Sequence, residues 1–210
     1  MSEKEKKASK KKYFDNVSIG KRTKQTVYFS LKHDKAAMFE MFLENNEIKQ
    51  TVVLTKSKRS ADELNSYLKD KNINTTVVHG NHRTEQIEES AKAFMESDIK
   101  ILISTDMILK SLELTNIEVI INYELPIQAA EYFVRLAYVD EVGQAVSFVS
   151  PEEESTLATI EFMMKNEMTE LEFKDFLRTE APLKNTTNKD KKKKLRHKKQ
   201  KQKKQTSPKE

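Results

Sequence analysis

The sequence predicts a single α/β domain, a parallel β-sheet flanked by helices on both faces, with a disordered basic tail at each end. Three observations predict it. Short runs rich in β-branched residues alternate with amphipathic stretches of roughly ten to fifteen residues, the signature of βαβ units. The runs Val52-Val53-Leu54, Ile101-Leu102-Ile103 and Val119-Ile120-Ile121 are apolar throughout, as in strands covered on both faces. The positive charge is segregated to the chain ends.

Taken in order, residues 1–22 are Lys-rich and too poor in apolar side chains to offset the entropy of ordering, so a disordered basic arm is expected there. Gln25–Ser30 reads as a strand, and the stretch from Lys32 to Asn45 sets Ala36, Phe39 and Leu43 at helical spacing. Thr51–Thr55 is a second strand. From Ser57 to Lys71, Ala61, Leu64 and Leu68 make the stripe of a helix lying on a sheet. Thr75–Val78 follows as a strand, and Arg83–Glu96 as a helix with Ile87, Ala91, Phe94 and Met95 inward. Ile99–Ser104, Val119–Tyr123 and Gln144–Val149 supply three more strands, with helices over Gln128–Tyr138 and Pro151–Asn166. The folded domain is placed at 23–183 and a Lys-rich disordered tail at 184–210.

The formal charge of +5 conceals this partition. From Lys184 to Glu210, 13 Lys and Arg face only Asp190 and Glu210, a net of +11; residues 1–12 carry +4, which leaves −10 for Tyr13 to Leu183. A chain whose positive charge sits on its ends is expected to meet polyanions with those ends. There is no cysteine, which excludes disulfides and thiolate metal sites. The first residues are charged with no apolar segment after them, and no apolar run approaches the roughly 20 residues of a membrane span. A soluble, cytoplasmic protein without membrane contact is expected.

In such sheets, ligands gather at the carboxyl ends of the strands. The residues to weigh are therefore Thr55 to Lys58, His79-Gly80, Thr105-Asp106 and Asn122 to Leu125. Four segments near these ends, VVLTKSKRSADEL (Val52–Leu64), VVHGNHRTEQIEESAKAF (Val77–Phe94), ILISTDMILKSLEL (Ile101–Leu114) and VIINYELP (Val119–Pro126), followed by YFVRLAYVDEVGQAVSFVSPEE (Tyr132–Glu153), stand in one order. They resemble the C-terminal RecA-like domain of DEAD-box RNA helicases, whose patterns run vIFvnTKrrADeL, HGdlsQxqRexxlxxF, vLvATDvaaRGiDi, vINYdLP and YvHRiGRtgR. The resemblance covers Gln25 to Glu153 and implies a RecA-like, P-loop NTPase-like sheet. In the family, the glycine of the HG pair and the threonine of the TD pair lie along the RNA backbone, and these roles carry onto Gly80 and Thr105. Physically, a glycine after a strand admits a phosphate and a hydroxyl beside exposed amides donates to one. The plainer alternatives are that Gly80 serves a turn and Thr105 caps a short helix. The family's RNA-contacting arginine falls on Ile87.

The resemblance also shows losses. The signature's second and third arginines, which in the family reach the ATP γ-phosphate, fall on Tyr138 and Glu141, and the loop between Glu141 and Gly143 is about three residues short of the family's. Phosphoryl transfer needs cations where negative charge spreads, and an arginine finger contributes about 10³–10⁵ in rate. Asp106, Glu113 and Arg135 keep positions tied to the nucleotide or the other helicase domain; a surface ion pair is the alternative for Arg135. No GxxxxGK[ST] occurs, since Gly20-Lys21 is followed by Arg22 and has Asp15 at the first glycine's place. His33, His79, His82 and His197 show no metal-ligand spacing, so no metal is expected.

The tail KDKKKKLRHKKQKQKK offers Lys191, Lys192, Lys193, Lys194, Arg196, Lys198 and Lys199 as phosphate-neutralising groups without interleaved aromatics. Its alternative is a solubilising segment. The expectation is a non-catalytic RNA-binding protein, with structured or ribosomal RNA as partner and no cofactor. The rivals are an ATP-dependent RNA helicase half, completed in trans by a separate chain bearing the P-loop and DEAD segments and then using ATP and Mg, or a fragment of a split reading frame.

Overall fold

The computed structural model describes residues 15–139 and 143–179. Seven helices and seven strands alternate: α1 (Asn16–Arg22), β1 (Lys24–Phe29), α2 (Lys35–Asn45), β2 (Thr51–Thr55), α3 (Lys58–Asp70), β3 (Thr76–Val78), α4 (Thr84–Met95), β4 (Ile101–Thr105), α5 (Asp106–Leu109), β5 (Val119–Asn122), α6 (Ala129–Leu136), β6 (Gln144–Val149), α7 (Glu154–Met164) and β7 (Thr169–Glu170). A 3-10 turn, Pro151–Glu153, leads into α7. The strands form one sheet in the order β3-β4-β2-β5-β6-β1-β7, and every pairing is parallel.

The register explains why the apolar runs are continuous. Val53, Ile101, Ile103, Val119, Ile121, Val146 and Phe148 point to one face and pack under α2 and α3 with Phe39, Phe42, Leu64 and Leu68. Their alternates point to the other face. Val52, Leu54, Leu102 and Ile120 meet Ala91, Phe94 and Leu109, while Val27, Ala145 and Val149 meet Ile19, Tyr132, Leu136, Ile160 and Met164. Every residue of β2 and β5 is buried. Burial of apolar area on both faces, at about 25 cal/mol per Å², is what holds this sheet.

The structure departs from the sequence expectations in three places. Residues 16–22, expected in the disordered arm, form α1, with Asp15 as N-cap accepting from the Ser18 N–H. The reason is tertiary: Ile19 is buried beside α6 and α7, and Gln25 Nε2 donates to the Gly20 carbonyl at 2.6 Å while Gln25 Oε1 accepts from Tyr132 Oη at 2.7 Å. Met95, expected inward, is exposed at the last position of α4, where Phe94 alone fills the core. A seventh strand, β7, adds to β1, and the segment after it returns across the α2 face, stacking Phe173 on Tyr28 at 4.6 Å. That segment ends with Thr179 donating to the buried carboxylate of Asp34.

Gly20 shows how tightly α1 is seated. A Cβ there would lie 2.4 Å from Met164 Cγ and 2.6 Å from its sulfur, and Met164 is itself fully buried. Gly20→Val is expected to lower stability by about 1–3 kcal/mol through overpacking, read as a drop in the urea midpoint at unchanged slope; an unchanged midpoint would mean that α1 is not seated on α7 in solution.

Candidate functional site at the strand carboxyl ends

The pairings Thr55 with Thr105 and Leu54 with Asn122 bring the carboxyl ends of β4, β2 and β5 to one edge, with β3 alongside through Val78 and Ser104. The chain passes from β3 back to β4 on one side of β2 and on to β5 on its other side, so this edge is where the strand order switches. Two networks of charge occupy it.

The first centres on Arg135, which α6 projects inward until only 1% of its side chain is exposed. Its guanidinium grips Asp106 with both forks, Nε to Oδ1 at 2.6 Å and Nη2 to Oδ2 at 2.7 Å. Nη1 donates at 2.8 Å to Asn122 Oδ1 and at 2.8 Å to the Glu124 carbonyl. Arg135 thus ties α6 to the ends of β4 and β5. It is not a surface ion pair, which corrects that reading of the residue. A guanidinium is suited to this because its planar fork matches a carboxylate bidentately and leaves donors for two further acceptors.

The second network was not found from the sequence. Glu153, 5% exposed, takes a short ion pair from the equally buried Lys35 and one from Lys56 at 2.7 Å. It also accepts from the Leu125 N–H at 3.0 Å, the Ser150 N–H at 3.2 Å and Ser150 Oγ at 3.0 Å. Burial opposes its charge, but the two lysines and the Ser150 amide outweigh burial and hold the carboxyl down at about 2. Lys35 also donates to the Tyr123 carbonyl at 2.9 Å. The readable signal was Ser150-Pro-Glu-Glu153, a capping box whose Ser and Glu bond each other's amides. A 470 Å³ cleft opens over this network between α2 and α3, lined by both lysines, Tyr67, Tyr123 and Glu63 among others.

The remaining sequence-predicted residues fall as follows. Gly80 is exposed at the end of β3 and has no positive φ, so no turn requires a glycine there. A Cβ would meet only the flexible end of Lys58, at 3.4–3.5 Å. Lys58, on the first turn of α3 and among the strand-end residues singled out above, reaches Asn81 Oδ1 at 2.6 Å and puts a cation beside Gly80, a proximity that the sequence does not show. Thr105 is half-buried at the N-cap position of α5, but its side chain caps nothing. Ile87 is half-buried on α4 and Glu113 is exposed. Tyr138 lies past the end of α6, packed against the apolar cluster of Leu54, Leu109 and Ile120; burial raises its pKa, with Lys110 opposing. Glu141 and the tail residues Lys191 to Lys199 lie outside the described residues.

His79 Nε2 donates to Asp62 Oδ1 at 2.8 Å, and the ring stacks on His82 at 4.1 Å between centroids. Burial, then the neighbouring His79, lowers the His82 pKa. Among the described residues no group of three or more His, Asp or Glu side chains is placed to hold a metal ion, and no helix is long and apolar enough to cross a membrane.

The sequence profile of the helicase conserved C-terminal domain matches residues 33–143. The chain belongs to that family, in the form carried by DEAD-box RNA helicases. It is 33% identical over 138 residues to the ATP-dependent RNA helicase vasa of Drosophila melanogaster, covering 64% of this chain and 21% of vasa. To the DEAD-box ATP-dependent RNA helicase RhpA of Helicobacter pylori it is 27% identical over 147 residues, covering 69% of this chain and 30% of the relative. The chain therefore spans less than a third of the length of these curated relatives, and the match is to their C-terminal domain. A solved DEAD box protein from Methanococcus jannaschii superposes with a TM-score of 0.68 at 27% identity, covering 73% of this chain and 43% of that one. Escherichia coli SrmB, solved with a regulator of ribonuclease activity, superposes with a TM-score of 0.70 at 19% identity, covering 76% and 97%, a likeness of fold.

Two outcomes test these networks. Arg135→Met should destabilise by about 3–5 kcal/mol, since Asp106 loses its bidentate partner and Asn122 and the Glu124 carbonyl lose a donor; a melting temperature within a degree or so of wild type would show the pairing to be dispensable. Glu153 has a folded pKa below its ordinary value of 4.5, so its contribution is present above that pH and is lost as pH falls toward about 2. The loss should be on the order of 3 kcal/mol, and Glu153→Gln should flatten the stability curve between those pH values.

Proposed function

We propose that this chain is an RNA-binding derivative of a DEAD-box helicase C-terminal domain that does not itself turn over ATP. The observation that carries the reading is the fate of the arginine signature. The one retained arginine, Arg135, has its guanidinium committed to Asp106, Asn122 and Glu124 within the domain. At the first finger position, Tyr138 packs into an apolar cluster. The second finger position is Glu141, whose carboxylate repels a γ-phosphate. Neither finger residue could stabilise the charge of a phosphoryl transition state.

RNA as the partner class rests on the family and on charge. The body is acidic, so its contact with a phosphate backbone is weak and confined to the strand ends that carry Thr105 and the neighbouring Gly80 and Lys58. Lys184 to Glu210, with its net +11, supplies most of the affinity by neutralising phosphates without reading sequence. Structured RNA, ribosomal RNA among it, is the substrate class that fits a shape-complementary body with a non-specific tail. A second reading, completion in trans by a separate chain with the P-loop and DEAD segments, is supported by the full strand-end framework. It is weakened by the sequestered Arg135.

The full chain is expected to show no ATP hydrolysis above blank, with or without RNA. RNA-stimulated turnover that changes within Thr105–Glu113 abolish would overturn the reading. Removing residues 184–210 should weaken RNA binding at least about tenfold near physiological salt and lower the slope of log K against log salt by several units. Equal affinity and slope for the two chains would reject the tail as the binding element, and thermal stability should be the same for both.

A further inference from the structure

The outer face of α6 carries an apolar stripe that the domain leaves uncovered. Ala130 and Val134, both exposed and four residues apart in α6, share one face of the helix, and Ile127, 84% exposed, lies just before its N-cap. The half-buried Tyr138 continues the stripe. Val134 and Tyr138 stand where the family signature has a histidine and an arginine, so a polar face has become apolar. Alongside runs a groove of 440 Å³ lined by Met107, Pro126, Ile127, Lys56, Lys110 and Glu131, among others. Met107 projects from its rim, 77% exposed.

We propose that this face is an isologous interface with a second copy of the chain. Three features favour that occupant. The charged groups at the groove are already paired within the domain: Lys110 with Glu131 at 2.6 Å, Lys56 with Glu153 at 2.7 Å, and Asp106 with Arg135 at 2.6 Å. A phosphate finds no unengaged cation among them. The same patch supplies both the groove and the projecting knobs, Met107 and Ile127, which is the self-complementarity that two-fold pairing requires. Its rim offers one cation and one anion that remain partly exposed, Lys110 at 44% and Glu131 at 33%, so each copy can exchange this pair with its mate.

The eight residues of α6 span only about 12 Å at the helical rise. That size fits an interface below about 1,200 Å² in total and hence a weak, concentration-dependent dimer. Dimerisation would put two Lys-rich tails on one polyanion, raising avidity without any new contact. The inference itself does not depend on the RNA-binding reading, and its test contains no RNA.

Sedimentation velocity on the nuclease-treated full chain is expected to show reversible dimerisation over concentrations up to about 200 µM, a range that reaches weak micromolar association. Ile127→Asp and Met107→Glu, both at exposed positions, should leave circular dichroism and melting unchanged while holding the chain monomeric. Lys110→Glu and Glu131→Lys should each weaken association by roughly tenfold, and an equimolar mixture of these two variants should restore it. That restoration requires the pair to form between copies, because within each variant the two residues have like charge. A chain monomeric throughout the range, association untouched by Ile127→Asp, or a mixture no stronger than its components would each overturn the proposal.

Discussion

The strand-end edge of this domain depends on one buried guanidinium. Arg135 binds Asp106 at the start of α5, just after β4, Asn122 from β5 and the carbonyl of Glu124 just beyond it. Without it a half-buried carboxylate and two polar acceptors would converge at the place where the strand order switches, each having left water without a partner. Because α6 provides the arginine, the position of that helix, of its exposed stripe and of Tyr138 behind it all follow from the same bonds. The Glu153 cluster does corresponding work one strand further along, tying the start of α2 through Lys35 to the ends of β2, β5 and β6.

These two clusters recast what the arginine signature means here. In a helicase the edge must present cations to a nucleotide that comes and goes, so some of its charge must stay uncompensated in the absence of ligand. Here Arg135, Lys35 and Lys56 are compensated within the domain, and the half-buried Tyr138 packs against an apolar cluster. An edge wired in this way is a structural brace. On the proposed reading, binding falls to the Lys58–Gly80 corner and the basic segments at the ends of the sequence.

Much of this was legible in the sequence. The uniformly apolar runs at Val52–Leu54, Ile101–Ile103 and Val119–Ile121 fixed a parallel sheet covered on both faces, because only strands without a solvent face can dispense with polar alternates. The order of the strand-end segments named the family, and the replacement of two arginines by Tyr138 and Glu141 could be read letter by letter. Charge segregation was likewise a matter of counting.

What the sequence by itself determined was therefore the fold class and the family. Only the tertiary structure decided where the remaining charges go. Arg135 reads the same whether it is a surface ion pair or a buried clamp; its role is set by Asp106 and Asn122, 29 and 13 residues away. Lys35 and Glu153 are 118 residues apart, and no local pattern couples them. Residues 16–22 read as part of a polar arm, yet Ile19 finds α6 and α7 and Gly20 meets Met164, so a helix forms where composition argued against one. In each case the deciding energy comes from desolvating a group against partners distant in sequence, a quantity that periodicity and composition do not contain.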